Sequence, residues 1–253
     1  MMKNNKKMIE IFKKVLKQNE KIYNIKSTAI ILLFFSKISY LFSPFLILLK
    51  INPNKITYFN FLTSIILVTL IFFASNQNNF IIYGVLLYFS CLIIDFCDGT
   101  VARYFKITSF YGKFIDGLVD VFLKTFLILS LSVYGFEMSG DKLILILGCL
   151  SSLLASFDTF ILDRYSAIVR WFNKENKKDI KPYIRKVFLP RLTFLYSDIF
   201  IISIGFVLLT KDYPEIFNYN LLLIFFISSL SAIQNLIIHI FFSYKNLKYK
   251  NKG

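Results

Sequence analysis

The sequence predicts an all-α fold, namely a polytopic membrane bundle of six transmembrane helices preceded by an N-terminal amphipathic interfacial helix. Of the 253 residues, 56% are hydrophobic and 30 are Phe, which is too apolar for an ordinary soluble domain. The apolar residues also come in long blocks, and about 20 such residues are needed to cross a hydrocarbon core of ~30 Å. Because six blocks come near that length, we expect the chain to lie in a lipid bilayer.

Residues 1–36 form a basic extension ahead of this bundle. Apolar residues, among them Ile11, Val15 and Leu16, recur there at helical spacing, while lysines occupy other positions. This pattern predicts an amphipathic helix on the membrane surface, the alternative being a merely solvated extension. The extension lacks the apolar core of a secretory signal peptide, so no cleavable signal is expected.

The segment from Thr28 to Leu49 is apolar, but Lys37, Pro44 and three serines interrupt it. If it were a seventh span, the N-terminal lysines would lie across the membrane from the C-terminus. We therefore expect it to be partly interfacial. The membrane-embedded domain is expected to comprise residues 37–253.

The six predicted spans place both termini on one side of the membrane. Nearly all of the 30 Lys and Arg fall on that side, with Lys142 and Lys211 opposite and Lys124 inside the third span. Since Lys and Arg concentrate in cytoplasmic loops, we expect both termini and the active site in the cytoplasm, at the inner membrane in a bacterium. This topology accounts for much of the +15 net charge, so no nucleic-acid partner is expected. The predicted spans are Ile56–Ala74, Phe80–Phe96, Phe114–Tyr134, Leu143–Leu162, Phe194–Thr210 and Tyr219–Phe242.

Two pairs of aspartates stand out in the second and third spans. Asp95 and Asp98 are three residues apart, and Asp116 and Asp120 are four apart, so each pair lies on one face of its helix. Because the connection between these spans is short, we expect all four carboxylates to converge just below the cytoplasmic surface. A charged side chain at membrane depth costs ~2.5 to 3.5 kcal/mol, so this group needs a compensating cation.

The residue types in this group indicate a metal site that handles phosphate. Oxygen donors without His or Cys suit Mg²⁺ or Mn²⁺, as one or two ions. Gly99 and Ala102 let a phosphorylated ligand approach the backbone, and Arg103 can pair with a phosphate. The pattern therefore predicts phosphoryl transfer. The alternatives are structural ion pairs or a carboxylate-lined divalent-cation transporter.

The complete pattern is D-x2-D-G-x2-A-R-x8-G-x3-D-x3-D, and it resembles the signature of the CDP-alcohol phosphatidyltransferases. A looser likeness covers Pro53, Asn54 and Thr57. The resemblance implies a transferase of phospholipid biosynthesis that moves a phosphatidyl group from a CDP-activated donor, expected to be CDP-diacylglycerol, to an alcohol, releasing CMP. The signature positions are Asp95, Asp98, Gly99, Ala102, Arg103, Gly112, Asp116 and Asp120.

The resemblance also implies a role for each signature residue. Two metal ions are expected, and Asp120 would in addition take the proton of the acceptor hydroxyl. Asp120 is expected in the deepest and driest position, which suits a general base. The implied metal ligands are Asp95, Asp98, Asp116 and Asp120. The implied contacts to cytidine diphosphate are Gly99, Ala102, Arg103 and Gly112.

The sequence leaves the acceptor open, with glycerol phosphate, inositol phosphate, serine, another phospholipid and a sugar-derived alcohol as candidates. In a close alternative the acceptor and not the donor carries the lipid, so that a CDP-linked polar group is transferred to a lipid hydroxyl. A catalytically silent scaffold is disfavoured because the signature is intact, and a homodimer is compatible with the sequence. We expect Lys124 either to pair with Asp120 or contact the acceptor, or to form a purely structural ion pair.

Other polar residues carry two interpretations each. Asp198 either faces the cavity or binds backbone groups, and His239 is expected to make a hydrogen bond between helices, the alternative being a role in catalysis. Four arginines either bind a phosphorylated acceptor or anchor a cytoplasmic loop expected from Arg164 to Arg191. They are Arg164, Arg170, Arg185 and Arg191.

Overall fold

The computed structural model describes residues 2–20, 29–107, 109–176 and 190–248, which form eight α-helices and no strand. The predicted all-α fold is therefore confirmed. A short 3-10 turn, Ala74–Asn76, joins the third and fourth helices. The helices are α1 (Met2–Glu20), α2 (Ile30–Leu48), α3 (Pro53–Phe72), α4 (Asn78–Phe105), α5 (Phe110–Ser139), α6 (Lys142–Asn176), α7 (Pro190–Thr210) and α8 (Pro214–Lys248).

Helices α3 to α8 correspond in order to the six predicted spans, although several are longer than predicted. Four of the described helices have the length and hydropathy of membrane spans, and α7 contains a shorter apolar stretch, Leu195–Thr210. The count of six crossings remains a prediction. The four stretches are Ile30–Leu48, Pro53–Phe72, Asn79–Phe105 and Glu215–Ile238.

Helix α2 is continuous where the sequence suggested an interrupted, partly interfacial segment. Its buried serines bond to carbonyl oxygens of the same helix, for example Ser36 Oγ to Leu33 O at 2.8 Å and Ser43 Oγ to Ser39 O at 2.8 Å. These hydroxyls are thereby satisfied without water. By length and composition alone α2 is a candidate span, and its partly interfacial placement remains a prediction.

The loop predicted from 164 to 191 is partly helical. Helix α6 continues to Asn176, because its sequence contains neither Gly nor Pro between Gly148 and Pro182. Helix α7 then starts at Pro190, a residue suited to the first helical position. Arg185 and the rest of 177–189 lie outside the described residues, as do the side chains of Arg164, Arg170 and Arg191.

Helix α3 packs against both α4 and α5, whereas α4 and α5 make no close backbone contact with each other in the described chain. A cleft between α4 and α5 results. Elsewhere α5 packs on α6, and α8 packs on α6 and α7. The α5–α6 contact is tight, because a Cβ on Gly148 would collide with the side chain of Ser132.

Helix α1 forms as predicted and also packs on the protein. Ile11 and Val15 are buried in a cluster that includes Tyr40 of α2 and Val101 of α4, whereas Lys13 and Lys17 are exposed. One apolar stripe of α1 therefore faces the bundle. Its placement on the membrane surface remains a prediction, as does the domain boundary after residue 36, which falls inside α2.

Candidate active site

A tight connection reverses the chain between α4 and α5 and so brings the two halves of the signature together. Lys106 adopts a left-handed conformation with φ 56°, and the N–H of Ile107 donates to the carbonyl oxygen of Ala102 at 3.0 Å. Ser109 then caps α5, since its Oγ accepts from the N–H of Gly112 at 2.9 Å. The end of α4 and the start of α5 consequently border the same cleft.

Three aspartates meet across this cleft. Asp95 and Asp98 of α4 and Asp116 of α5 each contribute a carboxylate oxygen, and these oxygens lie within 4.8 Å of one another. A hard divalent ion with ligands at roughly 2.0 to 2.6 Å spans up to roughly 4 to 5 Å between opposite oxygens. The three carboxylates therefore have the donor type and the spacing to hold such an ion.

Thr57 supports this cluster from α3. Its Oγ1 donates to Asp98 Oδ2 at 2.7 Å, and both side chains are buried. Asn52, rather than Asn54, caps α3, because Asn52 Oδ1 accepts from the N–H of Asn54 at 2.9 Å. Thr57 therefore orients one of the carboxylates, and Asn54 lies in the wall of the adjoining cavity.

We expect Thr57→Val to weaken Mg²⁺ binding by about 10- to 100-fold, because partners that orient metal ligands typically contribute that much. The measurement is a Mg²⁺ titration of activity. Thr69→Val is a matched control, because Thr69 is an exposed threonine near the other end of the same helix, with its hydroxyl bonded to Ile65 O. An unchanged Mg²⁺ requirement in Thr57→Val would contradict the assigned role.

A cavity of about 180 Å³ lies beside the cluster and is lined by most of the signature. Its glycines keep it open: a Cβ on Gly112 would lie 3.0 Å from both Asn54 Oδ1 and Ser109 Oγ, and a Cβ on Gly99 would lie 3.1 Å from Arg103 Nη1. The residues predicted to contact the nucleotide therefore share one space. The lining residues are Pro53, Asn54, Thr57, Asp98, Gly99, Ala102, Arg103, Ile107, Ser109, Gly112, Lys113 and Asp116.

Arg103 is held by a residue that the sequence did not single out. Its Nη2 donates to Asn19 Oδ1 at 2.9 Å and to Thr100 Oγ1 at 3.2 Å. Asn19 is on α1, 84 positions earlier in the chain, so no local spacing connects the two residues. The one sequence feature that could have pointed to this contact is Asn19 itself, a polar residue on the otherwise apolar stripe of α1.

Asp120 occupies the wall of a second and larger cavity, of about 400 Å³. It lies outside the group of three close carboxylates, although it is near enough to Asp95 for their charges to interact. Its side chain is exposed to the cavity, so a ligand there could reach it; its predicted position as the driest on the helix stays a prediction. The lining residues are Leu32, Tyr88, Leu92, Asp120, Leu123, Lys124, Leu127, Tyr196, Ser197, Phe200, Ile201, Ile227, Ser228 and Ser231.

Lys124 lies on the wall of this cavity, one turn beyond Asp120. Its Nζ is 4.0 Å from Asp158 Oδ2, and Asn235 Nδ2 donates to the same oxygen at 3.1 Å. The charge of Asp120 also acts on Lys124. The two interpretations of Lys124 are thus compatible, because an ion pair with Asp158 holds the ammonium group beside Asp120.

The remaining polar residues have structural positions or lie outside the description. Asp198 binds backbone groups, accepting from the N–H of Ile30 at 3.0 Å and of Ile31 at 2.8 Å, so it caps α2 from α7. The side chain of His239 is outside the described residues. The three cysteines, Cys91, Cys97 and Cys149, are free, and the first two are buried.

Comparison with known proteins gives one family match. The sequence model of the CDP-alcohol phosphatidyltransferase family matches residues 50–226, which is most of the chain and includes the whole signature. No curated protein matches the chain. The aspartate cluster and the adjoining cavity thus lie within the matched region, and the chain belongs to the CDP-alcohol phosphatidyltransferase family of transferases.

Proposed function

We propose that this protein transfers a phosphatidyl group from CDP-diacylglycerol to an alcohol, with release of CMP and with dependence on Mg²⁺ or Mn²⁺. Family membership supports phosphatidyl transfer from a CDP-alcohol and a role in phospholipid synthesis. The donor, the metal requirement and the acceptor are parts of our proposal.

The observation that carries the proposal is the position of the aspartates between two cavities. Asp116 lines the smaller cavity, and Asp120, one helical turn away, lines the larger one. The rise of an α-helix separates these positions by ~6 Å along the axis. A donor phosphate in the smaller cavity and an acceptor hydroxyl in the larger one would therefore meet at the aspartates.

Each half of this arrangement suits its proposed ligand. Asp95, Asp98 and Asp116 would hold one or two divalent ions, which would neutralise charge on the pyrophosphate. Gly99, Ala102 and Gly112 leave room for the cytidine diphosphate. Asp120 is the only carboxylate among the described residues lining the larger cavity, which supports its assignment as the base.

The reaction follows from these positions. Asp120 takes the proton of the acceptor hydroxyl, whose oxygen attacks the phosphorus atom of the phosphatidyl group. The bond from this phosphorus to the oxygen of CMP breaks, and CMP leaves with the bonding electrons. Lys124, held by Asp158, lies beside Asp120 in the wall of the same cavity.

A third cavity supports a lipid on the donor. This groove of about 410 Å³ is almost entirely apolar and runs along α2, α3 and α4. It reaches Lys55 and Ile56, in the same first turns of α3 that supply Asn54 and Thr57 to the nucleotide cavity. An acyl chain of CDP-diacylglycerol would fit such a groove.

A second candidate is transfer of a CDP-linked polar group to a lipid hydroxyl. The observation in its favour is the larger cavity, which is lined mainly by apolar residues such as Leu92, Leu123, Phe200 and Ile227. A lipid acceptor would bury its chains against these side chains. The hydroxyls of Tyr196, Ser197, Ser228 and Ser231 instead favour a polyol head group, and they lead us to prefer the first candidate.

The test is CMP release by the purified protein. We expect CMP from CDP-diacylglycerol, Mg²⁺ and at least one of a panel of labelled alcohols, and no CMP when EDTA replaces Mg²⁺. CDP-ethanolamine with diacylglycerol serves as the opposite pairing, and product from this pairing alone would favour the second candidate. Failure to release CMP from either donor with any alcohol, or release unaffected by EDTA, would contradict the proposal.

We also propose that the active site and both termini face the cytoplasm. The support is the concentration of Lys and Arg at the ends of the chain and in the connections on that side. Lys13 and Lys17 are exposed on α1, the helix that contacts Arg103 of the nucleotide cavity through Asn19. Anionic lipids of the cytoplasmic leaflet would attract these lysines.

A further inference from the structure

Helix α1 carries one fully buried polar side chain on its inner face. Ile11, Val15 and Asn19 are spaced four residues apart, so they form a single stripe, and they are 5%, 0% and 1% exposed. The first two pack in the cluster that contains Val101 of α4. The third reaches Arg103, the signature arginine of the nucleotide cavity.

The contact between Asn19 and Arg103 is part of a small hydrogen-bond network that also includes Thr100. Asn19 Oδ1 accepts from Arg103 Nη2 at 2.9 Å, and Asn19 Nδ2 donates to Thr100 Oγ1 at 3.4 Å. Arg103 Nη2 also donates to that same threonine oxygen at 3.2 Å. A buried polar group keeps its hydrogen bonds because losing them costs its full desolvation energy, so this network fixes the guanidinium group relative to α1.

Gly99 bounds the same guanidinium group on another side. The Cβ that Gly99 lacks would lie 3.1 Å from Arg103 Nη1, so the arginine occupies the space that the glycine leaves. Close by, Lys14 of α1 lies 4.5 Å from the centre of the Tyr104 ring, which adds a cation–π contact between α1 and α4. The long side chain of Arg103 is therefore confined between α4 and α1.

We infer that Asn19 is a positioning residue for Arg103 and that α1 thereby completes the donor site. Residues 1–20 lie outside the family match, which begins at residue 50, so this role belongs to the part of the chain that the signature does not cover. The inference rests on the proposed function, because it takes the diphosphate of a CDP donor as the ligand of Arg103. A guanidinium group already oriented loses less freedom when it binds phosphate.

A double-mutant cycle tests this inference through the affinity for CDP in the presence of Mg²⁺, measured by calorimetry on the full chain. We expect Asn19→Ala to raise Kd by about tenfold, as for the loss of one hydrogen bond to a charged group. Arg103→Ala should raise Kd further. Because Asn19 acts through Arg103, adding Asn19→Ala to Arg103→Ala should produce no additional increase.

Two further variants separate positioning from general destabilisation. Gln18→Ala removes the neighbouring, half-buried amide and should leave Kd unchanged. Val15→Asp places a charge in the buried contact of α1 with Asn19 intact, so it should displace α1 from α4 and raise Kd at least as much as Asn19→Ala. With saturating donor, kcat of Asn19→Ala should stay near that of the wild type, so the loss appears in KM.

The outcomes distinguish this inference from the proposed function. If the wild type binds CDP and Asn19→Ala binds it equally well, the inference is wrong and the proposed function stands. An equal loss from Asn19→Ala in the presence and absence of Arg103 would also overturn it, because Asn19 would then act elsewhere. If the wild type neither binds CDP nor releases CMP, the proposed function fails and the inference with it.

Discussion

Asp120→Asn should lower the rate of phosphatidyl transfer by about 10² to 10⁴, the range typical for removal of a general base. Asparagine keeps the size of the side chain but accepts a proton far less readily. Since Asp120 lines the larger cavity and lies outside the three-carboxylate cluster, the nucleotide cavity and its metal ligands should be unaffected. The expected result is a large loss in kcat with nearly normal CDP affinity.

The measurement combines single-turnover CMP release with calorimetric titration of CDP in the presence of Mg²⁺. Glu137→Gln is the matched control, because it removes an exposed carboxylate at the other end of the same helix. Retained turnover in Asp120→Asn would assign the base to another residue. If CDP binding is lost together with turnover, the main role of Asp120 is to hold the metal and not to act as the base.

Asp116→Asn should have opposite effects on activity and on stability. The carboxylates of Asp95, Asp98 and Asp116 lie close together, and like charges at about 4 Å repel by roughly 4 kcal/mol at an effective dielectric constant of ~20. Removing one charge lowers this repulsion when no metal is bound. The same change removes a metal ligand, so the transfer reaction and its response to Mg²⁺ should be lost. A gain in stability with a loss of activity is common when functional sites are substituted.

Thermal unfolding in detergent, with EDTA or with Mg²⁺, checks this prediction alongside CMP release. In EDTA the variant should have a higher Tm than the wild type. Mg²⁺ should raise the Tm of the wild type and of the Glu137→Gln control, but not that of the variant. A lower Tm of the variant in EDTA, or equal stabilisation of both proteins by Mg²⁺, would contradict the assignment of Asp116.

The positions of Asp95, Asp98 and Asp116 follow from local rules. Spacings of three and four residues determine a helix face, and a short connection makes neighbouring helices antiparallel. These rules predicted four carboxylates at one place; the structure brings oxygens of three of them within 4.8 Å, and Asp120 lies in the wall of the neighbouring cavity. They did not predict that α3 would lie between α4 and α5 and supply Thr57, because the order of helices in a bundle depends on contacts between distant segments.

The contact between Asn19 and Arg103 and the larger cavity were beyond the reach of the sequence. The cavity combines residues from α2, α4, α5, α7 and α8, such as Leu32, Tyr88, Asp120, Tyr196 and Ser228, and no periodic pattern connects them. Charge counting made Thr28–Leu49 partly interfacial and gave no sign that its serines bond inside one continuous helix; the interfacial placement itself stays a prediction. The sequence therefore predicted many of the residues that line the smaller cavity and few of those that line the larger one.

The most direct test of the central claim is anomalous X-ray diffraction from crystals of the protein grown with Mn²⁺ and CDP. The account predicts a Mn²⁺ peak bounded by oxygens of Asp95, Asp98 and Asp116, with the diphosphate of CDP beside it and near Arg103. A Mn²⁺ peak elsewhere would contradict the account. So would a complex with CDP in which these three carboxylates point away from one another and hold no metal.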